Sequence, residues 1–346
     1  MLAAKKPDEP FFVFHPRILQ SAAQLFAGQF LGDVVYDVHA NASPEILRAL
    51  YAGGIRQFAF STLEELRTVK RLFPDVPCHF THPVKSVTAI REAAHTFGVT
   101  HFTVDHPDEL AKIIVHTMPL KPTIVVRLSV GAASFDPSGA FGCSPAEAAA
   151  LMRAAAAEGF GVGLSFQCDS GNSDVETYRV ALQRIGDTVR GARLQPELID
   201  IGGGFPLGFA DLATSLVADY CQEVRRGLSH VQLHHPVKLL CTPGRVLAAA
   251  GTSVVVKVEL RRGNRLYLND GVFGGLADLR RMHDEPHLRA WRINGSAQLL
   301  TSALDDFIFH GPGGDSFDTL PGPFALPGDI HMGDYVEIGG MGAGAQ

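Results

Sequence analysis

Short apolar runs alternate with longer amphipathic runs over most of this 346-residue chain. The short runs fit β-strands, whereas the longer runs repeat their apolar residues at helical spacing. The predicted strands are Val34–Val38, Gln57–Phe60, Cys78–Thr81, His101–Val104, Thr123–Leu128, Gly161–Phe166, Leu198–Ile201 and Val237–Cys241. The predicted helices are Pro44–Ala52, Leu63–Leu72, Val87–Thr96, Asp108–His116, Ser144–Ala157, Asp174–Val189 and Leu212–Leu228. Eight β/α repeats at this spacing predict an α/β fold, a (β/α)8 TIM barrel over residues 14–250.

The pattern changes at Thr252, after which no long helix is predicted. Short β runs follow, separated by Gly and Pro turns: Ser253–Val258, Arg265–Leu268, Trp291–Ile293 and Asp334–Ile338. This pattern is typical of a small β domain. We therefore expect a second, smaller β domain formed by residues 251–346 together with residues 1–13, which contain a predicted strand at Phe11–Phe14.

Composition narrows the classes of partner. A formal net charge of −6 gives no basic surface for nucleic acid. No run of roughly 18 apolar residues predicts a membrane span, and Met1–Pro10 lacks the apolar core of a signal peptide. The five cysteines are scattered without a CxxC pair, which favours reduced thiols. We therefore expect a cytoplasmic protein with a small-molecule ligand, and no nucleic-acid or membrane partner.

Polar side chains follow many of the predicted barrel strands. The carboxyl ends of the strands form the catalytic face of such a barrel. The residues there are His39, Ala59, His82, Asp105, Arg127, Gln167, Gly202 and Thr242. Because this mixture is more polar than packing requires, the sequence predicts a ligand site at the barrel mouth.

Several motifs resemble those of the fold-type III decarboxylases that use pyridoxal phosphate (PLP), the ornithine/diaminopimelate/arginine decarboxylase family. The segment Tyr36-Asp37-Val38-His39-Ala40-Asn41 resembles the family's Tyr-Ala-Val-Lys-Ala-Asn, and nine further blocks follow in the family's order. These blocks start at His82, Val104, Phe141, Gly163, Asp200, Thr242, Asn269, Gly311 and Met341. The resemblance covers nearly the whole chain and implies an alanine-racemase-like barrel with a β domain.

The departures from the family's motifs concern its chemistry. The resemblance implies that a lysine holds PLP as a Schiff base, but His39 stands there, and imidazole has no primary amine. Lys85 is the lysine nearest to a strand end, yet it matches a family lysine outside the reactive position. Five further positions depart from family residues whose roles the resemblance implies: one near the cofactor, one that stacks on the pyridine ring, one that pairs with the ring nitrogen, one that donates the proton and one near the phosphate. In that order, the residues here are Ala59, Gln167, Thr242, Gly314 and Gly344. We therefore expect no bound cofactor, with noncovalent PLP as the alternative.

Residues suited to ligand binding are still present at the barrel mouth. Glycines let an anion approach backbone N–H groups closely, and arginine supplies a permanent charge for a carboxylate or phosphate. The predicted binding residues are His82, Arg127, Gln167, Ser170, Gly202, Gly203, Gly204, Thr242 and Arg245. The alternative is that Gly202–Gly204 form a tight turn kept only for packing.

His39 is the predicted catalytic residue if the chain is an enzyme without PLP. Its ordinary pKa suits a general base, and Asp37, two residues earlier on the same face of a strand, is a candidate to orient it. A metal site formed by His39, His82, Gln167 and Asp105 matches no ligand spacing, so we predict no metal.

Three functions are compatible with these residues. The first is a decarboxylase homologue without Schiff-base chemistry that binds a small anion or amino-acid-like molecule, or serves as an accessory subunit with a protein partner. The second is a PLP-independent enzyme that uses His39. The third is an active decarboxylase of basic amino acids with noncovalent PLP. The resemblance also implies a homodimer in which Asp315 enters the partner's site, so Asp315 is the second candidate catalytic residue beside His39.

Overall fold

This computed structural model describes residues 7–129, 140–168, 174–205, 214–280, 286–320 and 322–343. The chain divides into two compact units. One unit comprises residues 19–247, and the other comprises residues 1–18 and 248–346. The first unit contains the barrel, and the second contains the β domain.

Strand β1 (Phe11–Phe14) belongs to the β domain, and the next eight strands close the barrel. They are β2 (Asp33–Asp37), β3 (Gln57–Phe60), β4 (Cys78–Phe80), β5 (His101–Val104), β6 (Thr123–Leu128), β7 (Val162–Phe166), β8 (Leu198–Asp200) and β9 (Lys238–Cys241). All neighbouring pairs are parallel, and β9 closes on β2. The predicted (β/α)8 fold is confirmed, and each strand boundary lies within one residue of its prediction.

The helices between the strands are α1 (Pro16–Gln29), α2 (Pro44–Ala52), α3 (Leu63–Leu72), α4 (Val87–Arg91), α5 (Pro107–Thr117), α6 (Pro145–Ala157), α7 (Glu176–Ala192) and α8 (Thr214–Leu228). Helix α1 is absent from the sequence prediction, although Leu19, Ala23 and Phe26 form its buried stripe. Helix α4 is shorter than predicted because residues Glu92–Thr96 continue as a π-helix.

Two barrel helices begin with the same capping arrangement. Thr62 caps α3 and Ser144 caps α6, each accepting a backbone N–H from the glutamate three residues later. That glutamate, Glu65 or Glu147, accepts the backbone N–H of the cap in return. Each reciprocal pair satisfies two backbone donors that the first helical turn leaves without partners, so the local sequence fixes where these helices start.

The second unit is a mixed β domain. Its strands are β10 (Thr252–Arg262), β11 (Arg265–Leu268), β12 (Leu288–Asn294), β13 (Ser296–Leu299), β14 (Leu304–His310), β15 (Phe324–Pro327) and β16 (Tyr335–Ile338), with β1 paired to β10. Strands β13, β14 and β15 are absent from the sequence prediction. Strand β13 is exposed along its length, and β14 begins with the exposed residues Leu304, Asp305 and Asp306. Among the described residues, no helix combines the length and apolar character needed to cross a membrane.

Candidate functional site

A cavity of about 210 Å³ opens at the carboxyl ends of the barrel strands. Its lining residues come from most of the strands: Asp37, Ser61, Thr81, His82, Pro83, Thr103, Arg127, Phe141, Ser165, Phe166, Gln167, Asp200 and Thr242. The lining combines hydroxyl, amide, carboxylate and guanidinium groups with two phenyl rings. This end of the barrel therefore has the composition of a ligand site.

Four residues predicted from the sequence lie together in this lining: His82, Arg127, Gln167 and Thr242. The His82 ring packs edge-on against Phe141, with 5.4 Å between ring centroids. Its Nδ1 accepts the Val84 N–H, and burial lowers its pKa. His82 is therefore neutral at pH 7 and presents an uncharged ring to the cavity.

Arg127 is held near the aromatic wall of the cavity. Its guanidinium carbon lies 5.6 Å from the centroid of the Phe141 ring, within the range of a cation–π contact. Phe141 is in turn positioned by the following residue, Gly142, whose N–H donates to Asp105 Oδ2 at 2.8 Å. Arg127 thus brings a permanent positive charge to one wall of the cavity.

Two aspartates bring negative charge to the same cavity. Asp37 is the last residue of β2, and Asp200 is the last residue of β8. Burial raises the pKa of each carboxyl to about 6, and repulsion from Asp37 contributes to the value at Asp200. At pH 7 both are largely ionised, so two carboxylates and Arg127 share the described part of the cavity.

The structure corrects the expected role of Asp37 beside His39. Strand β2 ends at Asp37, and residues Val38–Ala40 form a 3-10 turn, so His39 is not on a strand. Asp37 accepts the backbone N–H of His39 at 3.2 Å. The ring of His39 is instead paired with Glu65, with 3.4 Å between Nδ1 and Oε1. The side chain of His39 is 72% exposed, and His39 does not line the described part of the cavity.

Glu65 is the acid that acts on His39, and the sequence analysis missed it. The hydrogen bond to Glu65 raises the pKa of His39. The other oxygen of Glu65 accepts the N–H groups of Ser61 and Thr62, and its pKa is lowered by its hydrogen bonds despite burial. Glu65 is thus an ionised carboxylate held in place by the cap of α3.

The glycine run at the end of β8 is engaged within the protein. The Gly202 N–H donates to Asp200 Oδ1 at 2.9 Å, and the Gly203 N–H donates to Gln167 Oε1 at 3.2 Å. A Cβ at Gly202 would lie 2.3 Å from the Phe166 carbonyl oxygen, and one at Gly203 would lie 2.7 Å from that of Thr242. Close packing therefore accounts for glycine at both positions, and Gly204 continues the turn with a φ of +92°.

The other predicted binding residues lie apart from this lining. Arg245 begins the single helical turn α9 (Arg245–Ala248) and is outside the described lining of the cavity. Ser170 falls outside the described residues. Asp315 belongs to the β domain, where its Oδ1 accepts the Phe317 N–H at 2.9 Å in an exposed loop.

Neither a metal site nor a nucleophilic cysteine emerges within the described ranges. The described residues contain no group of three or more His, Cys, Asp or Glu side chains arranged to hold a metal. Cys168 is buried. His79 and His101 stack at the opposite, amino-terminal end of the strands, with 4.4 Å between their ring centroids.

The cavity includes polar residues that the sequence analysis did not select. Asp200 shares a strand face with Gly202 because side chains two residues apart point the same way. The same step of two along the strands connects Ser165 with Gln167, and Thr103 with Asp105. The period of the strands therefore encodes this inner layer, which lies two residues before the positions Asp105, Gln167 and Gly202 that were predicted to form the mouth.

The barrel sequence matches a known family. The model of the pyridoxal-dependent decarboxylase, pyridoxal binding domain, covers residues 17–249. Ornithine decarboxylase 2 of Drosophila melanogaster is 29% identical over 330 residues, covering 89% of this chain and 79% of that protein. The lysine/ornithine decarboxylase of Selenomonas ruminantium is 27% identical over 321 residues, covering 90% and 78%.

Solved structures agree with the fold. The arginine decarboxylase of Paramecium bursaria Chlorella virus, bound to agmatine, has a TM-score of 0.83 at 22% identity, covering 99% of this chain and 92% of that chain. The lysine/ornithine decarboxylase of Vibrio vulnificus, complexed with cadaverine, has a TM-score of 0.81 at 25% identity, covering 97% and 89%. The match over residues 17–249 spans most of the chain, which therefore belongs to the pyridoxal-dependent decarboxylase family.

Proposed function

We propose that this chain is a family member that does not hold PLP as an internal Schiff base and that binds a small amino-acid-like molecule at the barrel mouth. One observation carries the proposal: no lysine lies in the described lining of the cavity, which contains Arg127 and two carboxylates instead. The segment that resembles the family's lysine motif carries His39.

Lys85 follows the cavity residues His82 and Pro83 closely in the sequence, and its amine is engaged. Its Nζ contacts the carbonyl oxygens of His82 at 2.9 Å, Pro83 at 3.2 Å and Thr103 at 2.5 Å. It also lies 3.1 Å from Glu109 Oε1, and the side chain is fully buried. Burial lowers the pKa of Lys85 to about 8. These contacts would have to break before the amine could react, which supports a structural role for Lys85.

The remaining described lysines bind groups elsewhere. Lys70 donates to the carbonyls of Pro74 and Val76, Lys112 pairs with Glu109, Lys121 donates to the Glu158 carbonyl, Lys238 pairs with Asp33, and Lys257 pairs with Asp8. These partners favour structural roles for all five.

The residues present do not fit covalently held PLP in other respects. Two of the glycine N–H groups that would meet a phosphate already donate to Asp200 and Gln167. The carboxylates of Asp37 and Asp200 would repel a phosphate dianion. Thr242 offers a hydroxyl where a ring nitrogen needs a negative charge to remain protonated. We therefore assign no step to PLP in this protein.

An amino-acid-like ligand is consistent with the size of the cavity and with the relatives. At about 210 Å³ the cavity is smaller than the roughly 300 to 1,000 Å³ of typical ligand pockets, which favours a small molecule. The solved arginine decarboxylase binds agmatine, and the solved lysine/ornithine decarboxylase binds cadaverine. Molecules with amino groups are therefore the first class to test.

Absorption spectroscopy with borohydride reduction tests the proposal. Wild type, the Asp37→Ala/His39→Lys variant and a His230→Lys control are titrated with PLP, reduced, and mapped by mass spectrometry. The double variant restores the family's Tyr-Ala-Val-Lys and should gain a pyridoxyl group at position 39. The control, with a new lysine at an exposed site, measures nonspecific labelling.

The wild type should show no pyridoxyl peptide above the level of the control. A stoichiometric adduct on Lys85 or another wild-type lysine would refute the proposal. Saturable binding of PLP without reduction would instead support the alternative of an active decarboxylase with noncovalent cofactor.

A second candidate function rests on the His39–Glu65 pair. A histidine oriented by a carboxylate, with a raised pKa, suits a general acid near neutral pH. This candidate is a PLP-independent enzyme. If this candidate is correct, His39→Gln should abolish turnover of a bound amino acid without weakening the binding of that amino acid. Turnover by the variant equal to that of the wild type would exclude this candidate.

A homodimer is part of the proposal, by resemblance to the family. The loop that carries Asp315 is exposed in the β domain, and nearby positions in that domain expose large rings, with Phe273 74% and Phe317 68% exposed. Exposed aromatic side chains of this size favour a protein contact. Sedimentation equilibrium decides between a dimer and a monomer.

A further inference from the structure

Two carboxylates, Asp37 and Asp200, face the cavity without a cationic side chain in direct contact. Asp37 accepts the His39 N–H, and the buried Asp200 accepts the Gly202 N–H. Within the described part of the chain, no Lys or Arg side-chain nitrogen and no His ring nitrogen lies within 4.0 Å of either carboxylate, although Arg127 acts on both from a greater distance. Burying an ionised carboxylate without a directly paired charge is unfavourable. A cation supplied by a ligand offsets that cost.

The cavity lining contains groups of both charges. Asp37 is the last residue of β2 and Asp200 is the last residue of β8, and β9 pairs with both of these strands. Arg127 comes from β6. The hydroxyls of Ser61, Thr81, Thr103, Ser165 and Thr242 complete the polar lining. This arrangement suits a molecule that carries both charges.

A metal cation is a poorer match for the same groups. The described residues provide no cluster of three ligating side chains at this place. An ammonium group needs only hydrogen-bond acceptors around it, and the two carboxylates and the hydroxyl oxygens are acceptors.

We propose that the ligand is a small neutral α-amino acid whose ammonium group lies between Asp37 and Asp200 and whose carboxylate pairs with Arg127. This inference rests on the proposed function and names its ligand class. The aspartate at position 37 stands where the resembled family motif has alanine, whereas Asp200 belongs to a block that resembles the family, so Asp37 is this chain's own contribution to the ammonium site.

Three probes that share a four-carbon chain test the assignment by calorimetry at pH 7.5. L-Norvaline carries both charges, pentanoate carries only the carboxylate, and butylamine carries only the ammonium. Each charge-assisted contact strengthens the binding of a probe that carries the matching charge. We therefore expect L-norvaline to bind roughly tenfold or more tightly than either of the other two.

Asp37→Asn keeps an oxygen for the His39 N–H and removes the charge. It should weaken L-norvaline and butylamine roughly tenfold and leave pentanoate unchanged or tighter. The matched control is Asp33→Asn, at the opposite end of the same strand, where Asp33 binds Gln57 and Lys238. The control should bind all three probes as the wild type does.

Pentanoate binding as tightly as L-norvaline in the wild type would overturn the inference, even if the variant failed to fold. An unchanged affinity of Asp37→Asn for L-norvaline would overturn it as well, as would the absence of binding for all three probes. The borohydride experiment decides the proposed function separately, because it measures attachment of PLP and not the charge of the ligand.

Discussion

At the residue scale, one substitution pattern changes the chemistry of the mouth. Where the family motif has alanine and lysine, this chain has Asp37 and His39. The first adds a carboxylate to the cavity, and the second turns away from it to pair with Glu65. Where the family motif has a reactive amine, this chain therefore has an acidic cavity beside an exposed imidazole.

Glu65→Gln should lower the pKa of His39. Glutamine keeps an oxygen for the cap of α3 but removes the charged partner that raises this pKa. Loss of an acidic group from the first helical turn should cost about 0.3 to 1 kcal/mol of stability. NMR titration of the imidazole resonances, assigned with a His39→Gln sample, measures the shift.

Glu147→Gln provides the matched control, because Glu147 has the same capping role at α6. It should lose a similar amount of stability and leave the titration of His39 unchanged. If His39 titrated identically in Glu65→Gln and in the wild type, the pairing with Glu65 would be absent in solution.

At the element scale, the turn before α6 positions the aromatic wall. The Cys143 N–H donates to the Arg127 carbonyl, and the Ser129 N–H donates to the Cys143 carbonyl, which ties this turn to the end of β6. Gly142 has a φ of +88°, and a Cβ there would lie 2.6 Å from the Ser129 nitrogen. Phe141 is therefore held against Arg127 by a backbone conformation that requires glycine.

Gly142→Ala should destabilise the protein by more than Gly98→Ala. Both glycines have positive φ, but a Cβ at Gly98 would meet nothing within 4 Å. Gly98→Ala therefore carries only the cost of a left-handed alanine, about 1 to 2 kcal/mol. Gly142→Ala adds a steric cost of about 1 to 3 kcal/mol. Urea unfolding compares them, and equal losses would contradict the close contact.

At the scale of the whole molecule, the acidic cavity makes the free energy of unfolding depend on pH. The folded-state pKa values of Asp37 and Asp200, about 6, exceed the ordinary value of 3.8. The folded protein thus binds more protons than the unfolded chain between about pH 4 and pH 6. The contribution of these two groups is fully present below pH 4 and is lost as the pH rises to 6.

Asp37→Asn should gain stability relative to the wild type as the pH rises through this window. A shift of about two pKa units corresponds to about 3 kcal/mol. Urea unfolding of both proteins at several pH values measures the difference. Asp33→Asn is the control, and a pH-independent difference between Asp37→Asn and the wild type would show that Asp37 is not buried as an ionised group.

The sequence alone determined the architecture and the family. Strand and helix periods along residues 33–241 are local properties, and burial on both faces of a parallel strand leaves a strong apolar signal. The order of the motifs identified the family without any distance. The weakly apolar strands of the β domain, such as Ser296–Leu299, were not predicted, because their exposed side chains leave no such apolar signal in the sequence.

Only the tertiary structure decided which mouth residues meet. His82, Arg127, Gln167 and Thr242 were found from the strand ends, but Asp200 and Glu65 were not. The sequence indicates which side of a strand a residue faces. It does not give the depth at which a strand ends or the turn that follows it. Because β2 ends at Asp37, the carboxylate faces the cavity and the histidine lies outside it.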